Sequence, residues 1–237
     1  PLAIINLGLN NFADSLSDQG ADVTSVDWVP PAGGDSKLIA LVDELSGLDR
    51  TNNQAVEAMC SAQPVWVDMG IAREVIPDMD DNTILHAGPP ISWKDMCGPM
   101  RGAIIGALLY EKRARTEKGA ENLARSGNIR FDSCHHHGAV GPMAGIISPS
   151  MPVFILQNLN HGNKSFATLN EGLGKVLRYG AYDQEVIDRL RWMEKELAPA
   201  MKAAVLDAGG INIKTIMAKA LHMGDECHNR NIAATAT

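Results

Sequence analysis

The feature that most limits the fold is an alternation of short apolar runs and helical patterns over the first ninety residues. The apolar runs have the length and composition typical of buried strands, and they lie at residues 2–7, 22–28, 64–69 and 83–86. Helical spacing separates them, as at 37–45, where leucine, isoleucine and valine recur on one face. Such alternation predicts a parallel sheet with right-handed crossovers. We therefore expect an α/β protein with a Rossmann-like parallel sheet domain over residues 1–87.

The pattern changes at Gly88-Pro89-Pro90, a break that we take as the domain boundary. The remainder combines a long helical segment, a glycine- and proline-rich stretch, a buried strand and two further helices, at residues 99–125, 138–150, 151–158, 183–206 and 211–221. We predict a mixed α+β and helical domain over residues 88–237, and we expect it to continue beyond the end of the chain.

Composition excludes several classes of function. The formal net charge is −7 and no block of Lys and Arg stands out, which argues against nucleic acid as a partner. No apolar stretch approaches the roughly 18 residues that a membrane span needs. The turn Gly8-Leu9-Asn10-Asn11 lacks the glycine spacing of a dinucleotide site, so we predict no NAD and no other cofactor. The 4 cysteines are far apart, which is typical of reduced thiols in a cytoplasmic protein.

The most unusual stretch begins at Cys134 and continues with three consecutive histidines. If the backbone is extended, His135 and His137 share a face and His136 lies on the other. Neutral rings could act as general bases or metal ligands, and charged rings could hold an anion. Equally, the histidines could be partly buried and bonded to backbone groups. Gly141 follows in a glycine-rich stretch that could let the backbone approach a ligand.

A second dense stretch, residues 222–231, follows an apolar helix. If it is helical, Asp225, His228 and Asn229 lie on one face. Carboxylates, a titratable ring and a planar cation in one segment are typical of a site, although a solvated helix end would also have them. We take as catalytic candidates Asp225, Glu226 and His228, and as substrate-binding candidates Asn229, Arg230 and Asn231.

Two further residues are candidates for substrate binding. Arg101 follows Gly98-Pro99, where helix-start amides and a guanidinium could hold an anion; the alternative is a proline-shaped crossover. Asn170 precedes Glu171-Gly172, and its amide could line a pocket or only form a turn.

Taken together and in order, these segments resemble the AllG family of YlbE-like proteins. The residues that carry the resemblance extend along the whole chain: Asn6-Leu7-Gly8, Phe12-Ala13, Asp27-Trp28, Pro30-Pro31-Ala32-Gly33-Gly34-Asp35, His86-Ala87-Gly88-Pro89-Pro90-Ile91, Met96-Cys97-Gly98-Pro99, Asn170-Glu171-Gly172, Met223-Gly224-Asp225-Glu226 and His228-Asn229-Arg230-Asn231.

The resemblance implies a Rossmann-like domain joined to mixed and helical domains, in a subunit of an oxamate carbamoyltransferase of anaerobic allantoin (purine) breakdown. It implies a small anionic substrate and a homo-oligomer, partner subunits or both. The Ser-Thr-Arg-Thr run of better-known transcarbamoylases is absent, so carbamoyl phosphate would be bound by other residues. Family members also continue past a segment like 229–237.

Two other functions compete with this expectation. The chain could be a non-catalytic scaffold that positions an active partner subunit. It could instead be a metal-dependent amide or ring hydrolase that uses the cluster His135–His137 with Asp225 and Glu226 as ligands. Our principal prediction is a transferase subunit without a metal.

Overall fold

The computed structural model describes residues 2–26, 32–45, 47–141, 145–169, 171–172 and 174–225. The chain divides into two compact units, Pro1–Cys60 (unit 1) and Ser61–Thr237 (unit 2). Among the described residues, no helix is both long enough and apolar enough to cross a membrane.

Unit 1 contains β1 (Ala3–Leu7), α1 (Asn10–Ser17), β2 (Asp22–Val26), α2 (Ser36–Asp43) and most of α3 (Leu48–Ser61). The two strands pair in parallel, from Ala3 opposite Asp22 to Leu7 opposite Val26. The Asp35 carboxylate caps α2 by accepting hydrogen bonds from the next two free amides, on Lys37 at 2.8 Å and Leu38 at 3.3 Å. The local strand–helix–strand pattern expected from the sequence is therefore present.

Unit 1 leaves many apolar side chains uncovered. In β1, Ile5 is 70% exposed and Leu7 is 73% exposed. In α2 and just after it, Leu41, Val42 and Leu45 are all more than half exposed. Ala13 is the buried apolar residue of α1. A sheet of two strands with one covering helix buries little apolar area, so its stabilisation from burial is small.

Unit 2 holds the remaining elements. Its strands are β3 (Pro64–Ile71), β4 (Thr83–His86), β5 (Arg130–Ser133), β6 (Ala139–Val140), β7 (Ile146–Ile147), β8 (Pro152–Asn158), β9 (Lys164–Thr168) and β10 (Ile211–Asn212). Its helices are α4 (Ala72–Val75), α5 (Gly98–Tyr110), α6 (Glu117–Arg125), α7 (Gln184–Trp192), α8 (Ala198–Asp207) and α9 (Ile213–His222). Short 3-10 helices lie at Trp93–Asp95, Cys134–His137 and Leu177–Tyr179, and a π-helical turn at Met193–Leu197 joins α7 to α8.

The strands of unit 2 form two sheets. One has five strands in the order β10-β3-β8-β9-β6, antiparallel except for the parallel β6–β9 pair. The other has three strands in the order β5-β4-β7, with β4 parallel to β5 and antiparallel to β7. Both sheets are therefore mixed or largely antiparallel.

The expected combination of helices and strands is confirmed, but the sheets are mixed and do not form a single Rossmann-like parallel sheet. The four strands assigned to it lie in three different sheets, and β3 pairs antiparallel with β8. The physical reason is that β3 finds its partner about ninety residues along the chain, and a local alternation of elements does not encode such pairing. The predicted domain boundary after residue 87 stays a prediction; β3 and β4, which precede it, lie in unit 2.

Two predicted helices differ from the expectation in detail. The helical segment at 99–125 is two helices, since Lys112 has a positive φ of 56° and interrupts the helical conformation between α5 and α6. The helix at 183–206 is continuous but contains the π-helical turn. Strands β5 and β9 were not predicted, because both are short and polar in composition.

Helix α5 is the centre of the largest apolar cluster. Ile104 and Leu108 are fully or almost fully buried there, against Ile84 of β4 and the apolar face of α7. On another side of α5, Gly102 and Gly106 let residues 177–182 approach the helix closely: a Cβ on Gly102 would lie 2.4 Å from the carbonyl oxygen of Gly180. These contacts fix α5 against the sheet that carries the candidate site.

Candidate functional site

Two parallel strands of unit 2 end side by side. β4 and β5 are in register from Thr83 opposite Arg130 to His86 opposite Ser133, so their carboxyl ends form one edge of the sheet. The 3-10 helix Cys134–His137 begins directly after β5. Open α/β sheets bind ligands at the carboxyl ends of parallel strands. We call His86, Ala87, residues 132–137 and Gly141 the β4–β5 edge.

Asp132 binds two histidines at this edge. Its Oδ1 lies 2.7 Å from Nδ1 of His136, and its Oδ2 lies 3.1 Å from Nε2 of His137. The backbone N–H of Ser133 also donates to Oδ1, at 2.8 Å. The pKa of the Asp132 carboxyl lies well below its usual range, chiefly because His136 donates to it and also because His137 and the Ser133 amide do, while burial opposes the shift.

His137 is held at both ring nitrogens. Its Nδ1 lies 2.7 Å from the carbonyl oxygen of Pro77, and its Nε2 faces Asp132. The two contacts fix the ring of His137 between the Pro77 carbonyl and the Asp132 carboxylate, and only 4% of its side chain is exposed.

The structure corrects the expected arrangement of the three histidines. Residues 134–137 form a 3-10 helix, which Gly138 ends with a φ of 62°, so the condition of an extended backbone is not met. His136 and His137 both contact the Asp132 carboxylate. His135 is exposed and packs edge-on against the His136 ring, with the two ring centres 4.5 Å apart. The catalytic roles suggested for His135 and His137 stay predictions.

His86 is fully buried at the end of β4. Its Nδ1 lies 3.0 Å from the carbonyl oxygen of Ala87, which can only accept a hydrogen bond, so Nδ1 is the donor in this contact. Nε2 is buried without a hydrogen-bond partner, and so is Oγ of Ser133 on the neighbouring strand. Among the described side chains, one arginine nitrogen is the third such atom.

Sequence reasoning missed this pair for two different reasons. His86 stood in one of the segments that carry the family resemblance, but nothing in the sequence separated it from the proline-rich turn that follows. Ser133 belongs to a strand that was not predicted. What distinguishes both residues is a buried polar atom without a hydrogen-bond partner, and this can be seen only in the three-dimensional structure.

Cys134 and Gly141 lie together at the same edge. A Cβ on Gly141 would lie 3.2 Å from Sγ of Cys134, so the position favours glycine. Burial raises the pKa of the Cys134 thiol to about 11, so the sulfur is protonated near neutral pH and is not a thiolate nucleophile. Gly141, a substrate-binding candidate, is thus brought to the histidine-containing turn.

Arg101 lies in the first turn of α5 and is already engaged by the backbone. Its Nε lies 3.3 Å from the carbonyl oxygen of Trp93, and an Nη lies 2.5 Å from that of Lys94. The guanidinium also lies 5.9 Å from the centre of the Trp93 ring. These contacts fix the turn at 93–95, and the suggested contact of Arg101 with an anion stays a prediction.

The remaining candidates are only partly described. Asp225 is half-buried and its amide donates to the carbonyl of Ala220 at 3.0 Å, in the turn that follows α9. The others lie outside the described residues: Asn170, Glu226, His228, Asn229, Arg230 and Asn231. Their suggested roles stay predictions.

Arg178 is a further residue that sequence reasoning missed. It lies beside Glu171, whose carboxylate accepts hydrogen bonds from the backbone amides of Leu177 at 2.6 Å and Arg178 at 3.4 Å. Its guanidinium donates to the carbonyl of Gly172 at 3.2 Å and lies 4.9 Å from the Tyr179 ring centre, and its Nε is the third buried atom without a partner.

Within the described part of the chain, no group of three or more His, Cys, Asp and Glu side chains is arranged to hold a metal ion. The His135–His137 turn does not form such a group because His137 is turned toward Asp132 and Pro77, while His135 points to solvent. The hydrolase alternative therefore gains no support from these residues.

Comparisons with known proteins agree on a family. The model of the oxamate carbamoyltransferase subunit AllG matches residues 129–237, which begin at β5. The uncharacterized protein YahG of Escherichia coli (strain K12) is 43% identical over 241 residues, covering 99% of this chain and 51% of YahG. The oxamate carbamoyltransferase subunit AllG of the same organism is 43% identical over 189 residues, covering 79% of this chain and 45% of that protein.

A solved structure extends the likeness to three dimensions. A conserved protein of unknown function from Enterococcus faecalis V583 is 48% identical and superposes with a TM-score of 0.77, over 80% of this chain and 45% of that one. The chain spans about half the length of the curated relatives that it matches, 51% of one and 45% of the other. On this family match and this identity, the chain belongs to the AllG family.

Proposed function

We propose that this chain acts in a carbamoyltransferase that converts carbamoyl phosphate and oxamate into oxalurate and phosphate, or the reverse, in anaerobic allantoin degradation. The observation that carries the proposal is the match of residues 129–237 to the AllG family, since the matched range includes β5 and, of the β4–β5 edge, residues 132–137 and Gly141. A cytoplasmic location and assembly with copies of itself or with partner subunits belong to the same proposal.

The chemistry sets three requirements. Phosphate and the oxamate carboxylate are anions, so cations or helix amides must neutralise them. The tetrahedral intermediate needs preorganised donors for its oxyanion. The attacking amide nitrogen must lose a proton to an acceptor.

The β4–β5 edge offers groups of these kinds. The buried ring of His137 is held against the Asp132 carboxylate beside the turn. The backbone of Gly141 lies close to Sγ of Cys134, because the residue has no side chain. We retain Arg101 and the segment 225–231 as proposed contacts for the anionic substrate.

A scaffold role is a second candidate, and two observations favour it. Both nitrogens of His137 are occupied, so this ring is not a ready base. The apolar side chains of β1 and α2 are exposed, and surfaces of this kind commonly mark protein interfaces. A scaffold would present such a surface to a catalytic partner.

The test is an assay of the full-length protein, alone and assembled with co-purified partner subunits. Oxamate-dependent phosphate release from carbamoyl phosphate is followed together with oxalurate formation. We expect turnover by the assembly and loss of turnover when this chain is omitted. Activity of the isolated chain would identify it as the catalytic subunit, whereas an assembly that forms no oxalurate would refute the proposal.

A further inference from the structure

We propose that His86 and Ser133 form a substrate-contacting pair at the β4–β5 edge, in which Nε2 of His86 is the proton acceptor for carbamoyl transfer. The pair is inferred from the geometry of the two strands. Its chemical role rests on the proposed function.

The two side chains lie on the same face of the sheet. His86 pairs with Ser133 in the parallel register, and two residues earlier Ile84 pairs with Phe131. Ile84 and Phe131 pack in the same apolar cluster, as the shared face requires. Neighbouring strands are about 4.8 Å apart, so one small polar group between the two side chains can contact both.

Neither polar atom has a use in the free chain. His86 and Ser133 are both 0% exposed, and both Nε2 and Oγ are without a hydrogen-bond partner. Buried polar atoms in native proteins are nearly always hydrogen-bonded, and exceptions often serve a function or bind a water or ligand. Ile146, the register partner of His86 on β7, is an apolar residue, so it offers no side-chain partner.

The state of His86 suits a base. Its Nδ1–H is fixed by the Ala87 carbonyl, which leaves the Nε2 lone pair in a defined direction. His86 is also close to the surface along the chain, because Ala87 is half-buried and Gly88, Pro89 and Pro90 are exposed. A ligand would therefore approach Nε2 from the side of this short loop.

The amide nitrogen of oxamate attacks the carbonyl carbon of carbamoyl phosphate, forming a C–N bond, and the bond from that carbon to the phosphate oxygen breaks. The nitrogen loses a proton to Nε2 of His86, and the departing phosphate takes that proton. The products are oxalurate and hydrogen phosphate. Ser133 Oγ–H donates a hydrogen bond to a carbonyl oxygen of the substrate.

The experiment compares three variants in the assembled enzyme. His86→Asn keeps a side-chain N–H for the Ala87 carbonyl but removes Nε2, and Ser133→Ala removes one buried oxygen. His161→Asn, at an exposed histidine in the turn after β8, is the control. We expect kcat to fall by about 10²–10⁴ in His86→Asn, KM for oxamate to rise by roughly tenfold in Ser133→Ala, and neither to change in His161→Asn.

A second readout separates this proposal from the proposed function. Oxalurate is titrated into the full chain labelled with ¹⁵N-histidine, and the Nε2 resonance assigned through His86→Asn is followed, with circular dichroism to verify that each variant folds. If the assembly turns over but His86→Asn and Ser133→Ala both keep wild-type kinetics, the pair is refuted and the function stands. If the wild-type assembly does not turn over, the function fails. The pair is then supported by an oxalurate-dependent shift of Nε2 and refuted by its absence.

Discussion

At the scale of single residues, the carboxylate of Asp132 does the most to organise the candidate site. It accepts hydrogen bonds from two histidine rings and a backbone amide, so one side chain fixes both the end of β5 and the 3-10 helix that follows. His137 extends this arrangement to the chain before β4 through the Pro77 carbonyl. Hydrogen bonds to one carboxylate and one carbonyl oxygen therefore hold the histidine turn.

Replacing Asp132 by Asn should destabilise the folded chain by about 2–3 kcal/mol near neutral pH, because the charged acceptor of the hydrogen bonds from His136 and His137 is lost. The pKa of Asp132 is depressed in the folded state, so its contribution is present above the unfolded carboxyl pKa of about 3.9 and is lost as the pH falls below it. Urea unfolding of both proteins from pH 3 to pH 7 measures this.

The matched control is Asp188→Asn on the exposed face of α7. Asp188 pairs with Arg191 at 3.4 Å and is 60% exposed, so its loss should change the free energy of unfolding by about 0.5 kcal/mol or less. A wild-type advantage over Asp132→Asn that stays constant down to pH 3 would contradict the role given to this carboxylate.

Residue chemistry could be predicted from sequence only in part. The histidine cluster could be singled out from the sequence, since three adjacent histidines are unusual in any context. Its partner Asp132 could not, because a carboxylate in a short polar strand has no distinguishing pattern. The face shared by His136 and His137 follows from a 3-10 helix that an extended-chain argument could not anticipate.

At the scale of elements, α5 depends on glycines where another segment crosses it. A Cβ on Gly102 would lie 2.4 Å from the carbonyl oxygen and 2.8 Å from Cα of Gly180, and neither backbone atom can rotate away. Gly102→Ala should therefore destabilise the protein by about 2–3 kcal/mol, despite the better helix propensity of alanine. Thermal and denaturant unfolding measure the difference.

Gly98→Ala in the same helix is the control, since a Cβ there meets nothing within 4 Å. It should leave stability unchanged or raise it by up to about 1 kcal/mol. Equal effects of the two substitutions would show that the crossing of residues 177–182 is not as close as described.

The far end of α5 is fastened by Tyr110. Its hydroxyl lies 2.8 Å from Oε2 of Glu194 in the π-helical turn, and burial, followed by Glu194, raises its pKa, so the hydroxyl remains a donor. Tyr110→Phe should cost about 1.5–3 kcal/mol of unfolding free energy. Tyr179→Phe, at an exposed ring, should cost about 0.5 kcal/mol or less. Equal costs in urea unfolding would exclude the link to Glu194.

Element types were easier to predict than their ends. Apolar runs and helical spacing identified β1 to β4 and most helices, because burial of one face leaves a periodic trace. The break between α5 and α6 was missed, since the turn around Lys112 contains neither glycine nor proline. Short polar strands such as β5 leave no such trace.

At the scale of the whole molecule, the two units should differ in local stability. Unit 1 has a sheet of two strands and exposed apolar side chains. Unit 2 has two larger sheets and three buried apolar clusters, all formed by residues after 61. Amide hydrogen exchange in the isolated chain should therefore be faster in β1 and β2 than in β8 and α5, by at least tenfold. Equal protection would mean that unit 1 is stabilised by contacts outside those described.

Sheet membership is where sequence reasoning failed most. Local patterns indicate that a segment is a strand, but β3, β4 and β8 find their partners by burial and distant pairing. A single sequence offers no measure of those distances, so consecutive strands were placed in one sheet by default. The same holds for the candidate site. The adjacent histidines could be identified from the sequence, but His86 and Asp132, which lie near them in space, could not.

The irregularity in β3 has a further consequence. The register with β8 shifts between Trp66 and Asp68, so Val67 is an extra residue, and Trp66 and Met69 pack in the same cluster although they are three apart. In a regular strand, Trp66 and Met69 would lie on opposite faces, because side chains alternate. With the extra residue, Val67 packs in a second apolar cluster, and the Asp68 carboxylate lies 3.1 Å from Nζ of Lys202. One inserted position thus lets a charged residue occupy mid-strand without entering either apolar layer.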